Sequence, residues 1–138
     1  MTRVLLAEDN AADVYLIREA LREHAVTCEL RVAVDGQEVL ELLQGNAPQI
    51  VGVRLIILDL NLPRHDGIEI LERLQLAGLR HIPVVVLTSS DSQRDRDMAM
   101  QLGAVSFLRK PSELDQFLSL GAVFKDLLRE PNAAAESA

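Results

Sequence analysis

The sequence is poor in the features that mark several large protein classes. It holds one cysteine, Cys28, and no tryptophan among 138 residues. One cysteine excludes an intramolecular disulfide, so a reducing, cytoplasmic location is expected. Cys28 itself reads as a small buried hydrophobe. Aromatics are limited to Tyr15, Phe107, Phe117 and Phe124, which leaves the core to aliphatic side chains. Basic residues are outnumbered, 14 Lys and Arg against 21 Asp and Glu, for a net charge of −7. Nucleic-acid affinity rests mainly on Lys and Arg neutralising phosphates, so no binding to DNA or RNA is expected. The balance suits a cationic ligand or partner instead. No apolar run approaches the roughly 18 residues of a membrane-spanning helix, so no membrane insertion is expected. Met1-Thr2-Arg3-Val4 leads straight into a strand-like run rather than a secretory leader.

What is present is a regular alternation. Hydrophobic residues make up 49% of the chain, enough for a core at a length that suits one domain. Strands are expected at Arg3–Ala7, Cys28–Ala33, Leu55–Leu58, Val84–Leu87 and Val105–Leu108. The third and fourth, Leu55-Ile56-Ile57-Leu58 and Val84-Val85-Val86-Leu87, are continuous apolar runs, as strands covered by helices on both faces require. Helical stripes are expected over 11–24, 36–45, 67–77, 92–102 and 113–128. Asp35-Gly36 precedes the second, and Gly45, Gly78 and Gly103 follow the second, third and fourth. The fold class is therefore α/β, a doubly wound five-stranded parallel sheet with five helices. Residues 1–130 form the expected domain, and the small, polar segment 131–138 is expected to be a disordered tail.

In such a sheet, sites form beyond the carboxyl ends of the strands. Glu8 and Asp9 stand at the end of the first strand and Asp59 at the end of the third. Thr88 stands at the end of the fourth, and Lys110-Pro111 follows the fifth. Clustered carboxylates stay ionised only beside a cation, and an all-oxygen set suits Mg²⁺. A carboxylate can act as nucleophile towards a phosphoryl group. Transfer then needs metal and ammonium to neutralise the transferring oxygens. Taken singly, each residue has a plainer reading. Asp9 or Asp59 alone would be a turn or cap residue, Asp9-Asn10 a helix start, Lys110 a solvated loop residue, and Thr88, Ser89, Ser90 or Ser92 a cap. Their convergence on one sheet edge favours chemistry.

The sequence resembles the receiver-domain family of bacterial response regulators from Val4 to about Leu128. The motifs are Leu6-Ala7-Glu8-Asp9-Asn10, Leu58-Asp59-Leu60-Asn61-Leu62-Pro63 with Asp66-Gly67, Val86-Leu87-Thr88-Ser89, and Lys110-Pro111. The resemblance implies the flavodoxin-like receiver fold. It also implies Asp59 as phosphoacceptor, Asp9 as direct Mg²⁺ ligand, Glu8 as a ligand through water, and Asn61 as donor of its main-chain carbonyl to the metal. Thr88 would be the switch hydroxyl, Lys110 the phosphate-pairing ammonium, and Phe107 the switch aromatic, lacking the hydroxyl of the Tyr often found there. Asp9-Asn10-Ala11-Ala12-Asp13, Asp59-Leu60-Asn61-Leu62-Pro63 and Leu114-Asp115-Gln116-Phe117 resemble single-domain regulators partnered with bacterial phytochromes. The implied partner is a sensor histidine kinase of that kind. A non-phytochrome kinase or a place within a phosphorelay stays open as the alternative.

The same residues bear on other functions of this fold class. A flavin carrier of this fold would need a small, hydroxyl-rich loop after the first strand, where Glu8, Asp9 and Asp13 would repel a phosphate. A haloacid-dehalogenase-like phosphatase places a second Asp two residues after the nucleophile, where Asn61 stands. An unphosphorylated pseudo-receiver would not need the full set of site residues. The expected protein is thus a signalling module with only self-phosphorylation and self-dephosphorylation chemistry, not an enzyme with a separate substrate. His24 and His81 read as solvated, His65 as a residue within reach of a docked kinase, and Arg94-Asp95-Arg96-Asp97 as a solvated helix face. On a helical wheel of the last helix, Leu114, Phe117, Leu118, Gly121, Phe124 and Leu128 share the arc expected to face the sheet. Leu120, Val123 and Leu127 fall on a separate arc, which suggests an exposed apolar stripe and a homodimer interface.

Overall fold

The computed structural model describes residues 2–44, 50 and 52–129. Five strands, β1 (Arg3–Ala7), β2 (Glu29–Ala33), β3 (Val53–Leu58), β4 (Val84–Thr88) and β5 (Ser106–Arg109), alternate with five helices. The helices are α1 (Ala11–Glu23), α2 (Gly36–Leu43), α3 (Gly67–Leu76), α4 (Gln93–Gln101) and α5 (Leu114–Arg129). All strand pairs are parallel, in the order β2-β1-β3-β4-β5. The fold class is the expected one, and the boundaries differ by one or two residues at most ends. The expected tail at 131–138 and the stop at Gly45 lie outside the described residues.

Side chains of a strand alternate between its faces, and the core divides accordingly. Leu5, Ala7, Ile56, Leu58, Val84 and Val86 join α2, α3 and α4 residues such as Val39, Leu71 and Ala99 in one buried cluster. Val4, Leu6, Leu55, Ile57, Val85 and Leu87 join Ile17 and Leu21 of α1 and Phe117 and Phe124 of α5 in another. Each fully buried aliphatic side chain contributes about 1.5–3 kcal/mol of transfer free energy, which this two-sided sheet collects on both faces.

Polar residues start the helices. The side chains of Asn10, Asp35, Asp66 and Ser92 accept N–H groups of the first turns of α1, α2, α3 and α4. Such caps contribute about 1 kcal/mol each. Gly78 (φ +73°) and Gly103 (φ +101°) follow α3 and α4 in the left-handed region that glycine tolerates. Gly121 has a different reason to lack a side chain. A Cβ there would lie 2.2 Å from the Ala20 carbonyl oxygen, so α5 packs directly on the α1 backbone.

The exposed stripe expected on α5 is only partly there. Phe117, Gly121 and Phe124 are buried. Leu120 and Leu127 are half-buried and pack against the α1-side core, and Val123 is half-buried. Leu114, assigned to the core arc, is 57% exposed. Leu128 of the expected arc packs against the same cluster, which Leu120 and Leu127 widen.

Candidate functional site

Main-chain pairing fixes the acids. The Glu8 N–H donates to the Ala33 carbonyl at 2.9 Å and the Asp59 N–H to the Ala7 carbonyl at 3.0 Å. The parallel ladder thus runs one residue past β1 and β3 and holds both carboxylates at the sheet edge. This edge lies beside the reversal of strand order, where open α/β sheets place their ligands. On the other side, the Lys110 N–H donates to the carbonyl of Thr88, the last residue of β4, at 2.7 Å.

The side chains converge on one ammonium. Lys110 Nζ lies 2.7 Å from Glu8 Oε1, 2.7 Å from Asp13 Oδ2 and 2.9 Å from Asp59 Oδ2. Glu8 and Asp59 are buried and Asp9 is exposed at the mouth. Carboxylate oxygens of Glu8, Asp9 and Asp59 lie within 4.8 Å of one another. Three hard oxygen donors this close, with one ammonium for partial neutralisation, fit a divalent cation.

Glu8 and Asp59 share Lys110 unequally. Burial pushes the Glu8 carboxyl up to about 7, against the Lys110 hydrogen bond and with the Asp59 charge adding to the rise. Burial also raises the Asp59 carboxyl, but the Asn61 N–H, the Lys110 ammonium and the Thr88 hydroxyl outweigh it and hold Asp59 below its ordinary value. The Asn61 N–H lies 3.0 Å from Asp59 Oδ1. Burial alone would lower Lys110, yet its hydrogen bonds to the carboxylates of Asp13, Glu8 and Asp59 raise it. Asp59 is therefore an ionised, oriented carboxylate, which is the state a nucleophile needs.

Thr88 is fully buried. Its Oγ1 accepts from Asn61 Nδ2 and from the Ser90 N–H, each at 3.3 Å. The Phe107 ring points inward, 8% exposed, in the buried cluster that holds Ala99 and Ala104. The Arg96 guanidinium carbon lies 5.8 Å from its ring centroid. The charged run on α4 is thus not purely solvated, because Asp95 is half-buried and accepts the Ser90 hydroxyl at 2.9 Å. All three histidines are half-buried rather than solvated. His65 pairs with Glu69 through Nδ1, and its Nε2 lies 3.2 Å from Gln37 Oε1, which ties the loop after β3 to α2.

Asp13 was missed as a site residue. It stands four residues past Asp9, in the first turn of α1, and only the tertiary fold, with α1 packed on α5, brings it to Lys110. Arg109 points away, exposed, 3.7 Å from Asp91, as strand alternation requires.

Comparison with known proteins agrees with this geometry. Residues 4–120 match the family model described as "Response regulator receiver domain". Response regulator Rcp1 of Synechocystis sp. is 36% identical over 120 residues, covering 85% of this chain and 82% of that protein. The chain spans about half the length of other curated relatives. Response regulator MprA of Mycobacterium ulcerans, 32% identical over 136 residues, has 55% of its length covered by 98% of this chain. The crystal structure of a phosphorylated cyanobacterial phytochrome response regulator, RcpA, superposes with a TM-score of 0.85 at 31% identity, covering 96% of this chain and 98% of that one. The Mn²⁺-bound form of Rcp1 superposes with a TM-score of 0.81 at 31% identity, covering 100% and 97%. The chain belongs to the response regulator receiver domain family. Among the described residues, no helix is long and apolar enough to cross a membrane.

Proposed function

We propose that Asp59 accepts a phosphoryl group from the phosphohistidine of a sensor histidine kinase in a Mg²⁺-dependent reaction, and that the phosphorylated domain signals through protein contacts. One observation carries the reading: the ionised Asp59 carboxylate sits 2.9 Å from the Lys110 ammonium, beside Glu8 and Asp9. An Asp59 oxygen attacks phosphorus and forms the new P–O bond. The P–N bond breaks, and its electron pair returns to the donor imidazole. Lys110 pairs with one phosphoryl oxygen and the Thr88 hydroxyl donates to another. Asp9 and Asp59 would hold Mg²⁺ directly, Glu8 through water and Asn61 through its main-chain carbonyl. Bound there, the ion would neutralise charge on the transferring oxygens. Hydrolysis of the same acyl phosphate is the only other chemistry assigned, so the chain acts on no separate substrate. The receiver occupies residues 1–130 and works in the cytoplasm.

The similarity to Rcp1 and RcpA supports a bacterial phytochrome as the kinase. Purified, autophosphorylated phytochrome kinases and unrelated histidine kinases would be tested side by side as donors. Rapid transfer is expected from the phytochromes. Transfer from unrelated kinases alone would overturn that partner, and transfer from none would overturn the receiver reading.

Homodimerisation through α5 is part of the same proposal. Val123, with the exposed edges of Leu120 and Leu127, would face the second copy in an isologous pair. Val123→Glu is the suitable probe, because it adds charge without entering the packed clusters. Light scattering over a concentration series should give a dimer that this substitution dissociates. A wild-type monomer at every concentration, phosphorylated or not, would contradict it.

A further inference from the structure

The Lys110 ammonium has three N–H donors, and Glu8 Oε1, Asp13 Oδ2 and Asp59 Oδ2 each lie within 2.9 Å of Nζ. An incoming phosphoryl oxygen must therefore displace or share one of these carboxylate contacts. Glu8 is enclosed, its side chain 2% exposed, and its other oxygen accepts the Asn10 N–H at 3.2 Å. Asp59 is the phosphoryl acceptor and its side chain is 5% exposed. Asp13 differs from both. Its side chain is 19% exposed, so its carboxylate has an edge in water when the ammonium turns away. Its backbone is fixed, because its N–H is bound by the Asn10 cap at 3.2 Å.

We propose that Asp13 is a positioning residue for the reaction at Asp59: it holds the Lys110 ammonium in the site before phosphorylation and opposes the phosphoryl anion as a fourth negative charge. The inference rests on phosphoryl acceptance by Asp59. Its electrostatics have opposite signs for the two ligands of the site. Asp13 adds negative charge near the carboxylates of Glu8, Asp9 and Asp59, which favours a cation. The same charge draws on Lys110 and repels a phosphoryl oxygen, which disfavours the donor. A structural role would not separate the two.

Asp13→Asn keeps an acceptor for Lys110 and removes the charge, whereas Asp13→Ala removes both. Mg²⁺ alone would be titrated into the wild-type protein and each variant. Labelling by acetyl phosphate would then be followed at saturating Mg²⁺. One unit charge a few ångströms away, in a medium between water and protein interior, changes such equilibria on the order of tenfold. Asp13→Asn should therefore bind Mg²⁺ about tenfold more weakly, and should reach its half-maximal labelling rate at a donor concentration lower by a similar factor. Asp13→Ala should show the same metal loss. It should also label more slowly than Asp13→Asn, because its ammonium is no longer held. Both quantities unchanged in Asp13→Asn, or metal binding and labelling falling together, would overturn the proposal. Absence of labelling in the wild type would instead defeat the reading of Asp59, and the metal titration would still decide whether Asp13 supplies charge to the site.

Discussion

Lys110→Met removes the ammonium while keeping the length of the chain, and its consequences follow from what surrounds Nζ. The Lys110 side chain is 11% exposed and contacts three carboxylates, two of them on buried residues. Removing one partner of a buried, hydrogen-bonded ion pair costs roughly 3–5 kcal/mol, because the charge left behind is uncompensated. Here Glu8 limits that cost. Its carboxyl is already raised to about 7 with Lys110 in place, and loss of the ammonium raises it further, so a proton takes over part of the neutralisation. A carboxyl whose folded value lies above its ordinary 4.5 contributes stability that is fully present below 4.5 and lost as pH rises through the folded value. The deficit of Lys110→Met should therefore reach roughly 3 kcal/mol at pH 8 in metal-free buffer and be smaller by about 1 kcal/mol near pH 5, the difference arising as the wild-type Glu8 ionises above about 7. Mg²⁺ should reduce it at pH 8, since a divalent cation among the same carboxylates replaces the missing charge. Urea unfolding of wild type and variant, at both pH values and with or without Mg²⁺, measures all of this. A metal-free variant as stable as the wild type at pH 8, or a deficit independent of pH, would refute the electrostatic account of the site.

Three further outcomes are expected. Asp9→Ala should lose most Mg²⁺ affinity in a metal titration while unfolding within about 0.5 kcal/mol of the wild type, as an exposed position allows. Thr88→Ala should still be labelled by acetyl phosphate. Because the Phe107 ring is already inward, its amide shifts around α4 and β5 should differ from the wild type before phosphorylation and change little after it. Gly121→Val should destabilise the fold by at least about 1–3 kcal/mol in urea unfolding, because its Cβ would meet the α1 backbone rather than a movable side chain.

The centre of the sheet was legible because β3 and β4 carry runs that are apolar on both faces. Leu55–Leu58 and Val84–Leu87 have no polar residue to suggest any other role, and the structure extends them only to Val53 and Thr88. Glu8, Asp9, Asp59, Thr88 and Lys110 were legible for a related reason. Each lies at or just beyond the end of its strand, where chain direction alone sets the position. Asp13 at Lys110 and Arg96 over Phe107 depend on tertiary packing, which no local spacing encodes. Lys110 and Asp13 are 97 residues apart. The α5 wheel placed Phe117, Gly121 and Phe124 on the buried arc, as found, and erred at Leu114. Its period was right, but starting from Leu114 assumed that the first turn touches the sheet, whereas Leu114 is 57% exposed. The centre of the buried arc is set by Gly121 against Ala20 and by the rings of Phe117 and Phe124.

The central claim is that Asp59 is the phosphoacceptor, and intact-mass measurement after incubation with acetyl phosphate and Mg²⁺ tests it most directly. The wild type should gain the mass of one phosphoryl group, stable in acid and lost in base as an acyl phosphate is. Asp59→Asn, whose amide is a poor nucleophile, should gain none, although it folds and keeps the neighbouring Glu8, Asp9 and Lys110. A phosphoryl group that persists in Asp59→Asn, or that resists base in the wild type, would contradict the assignment.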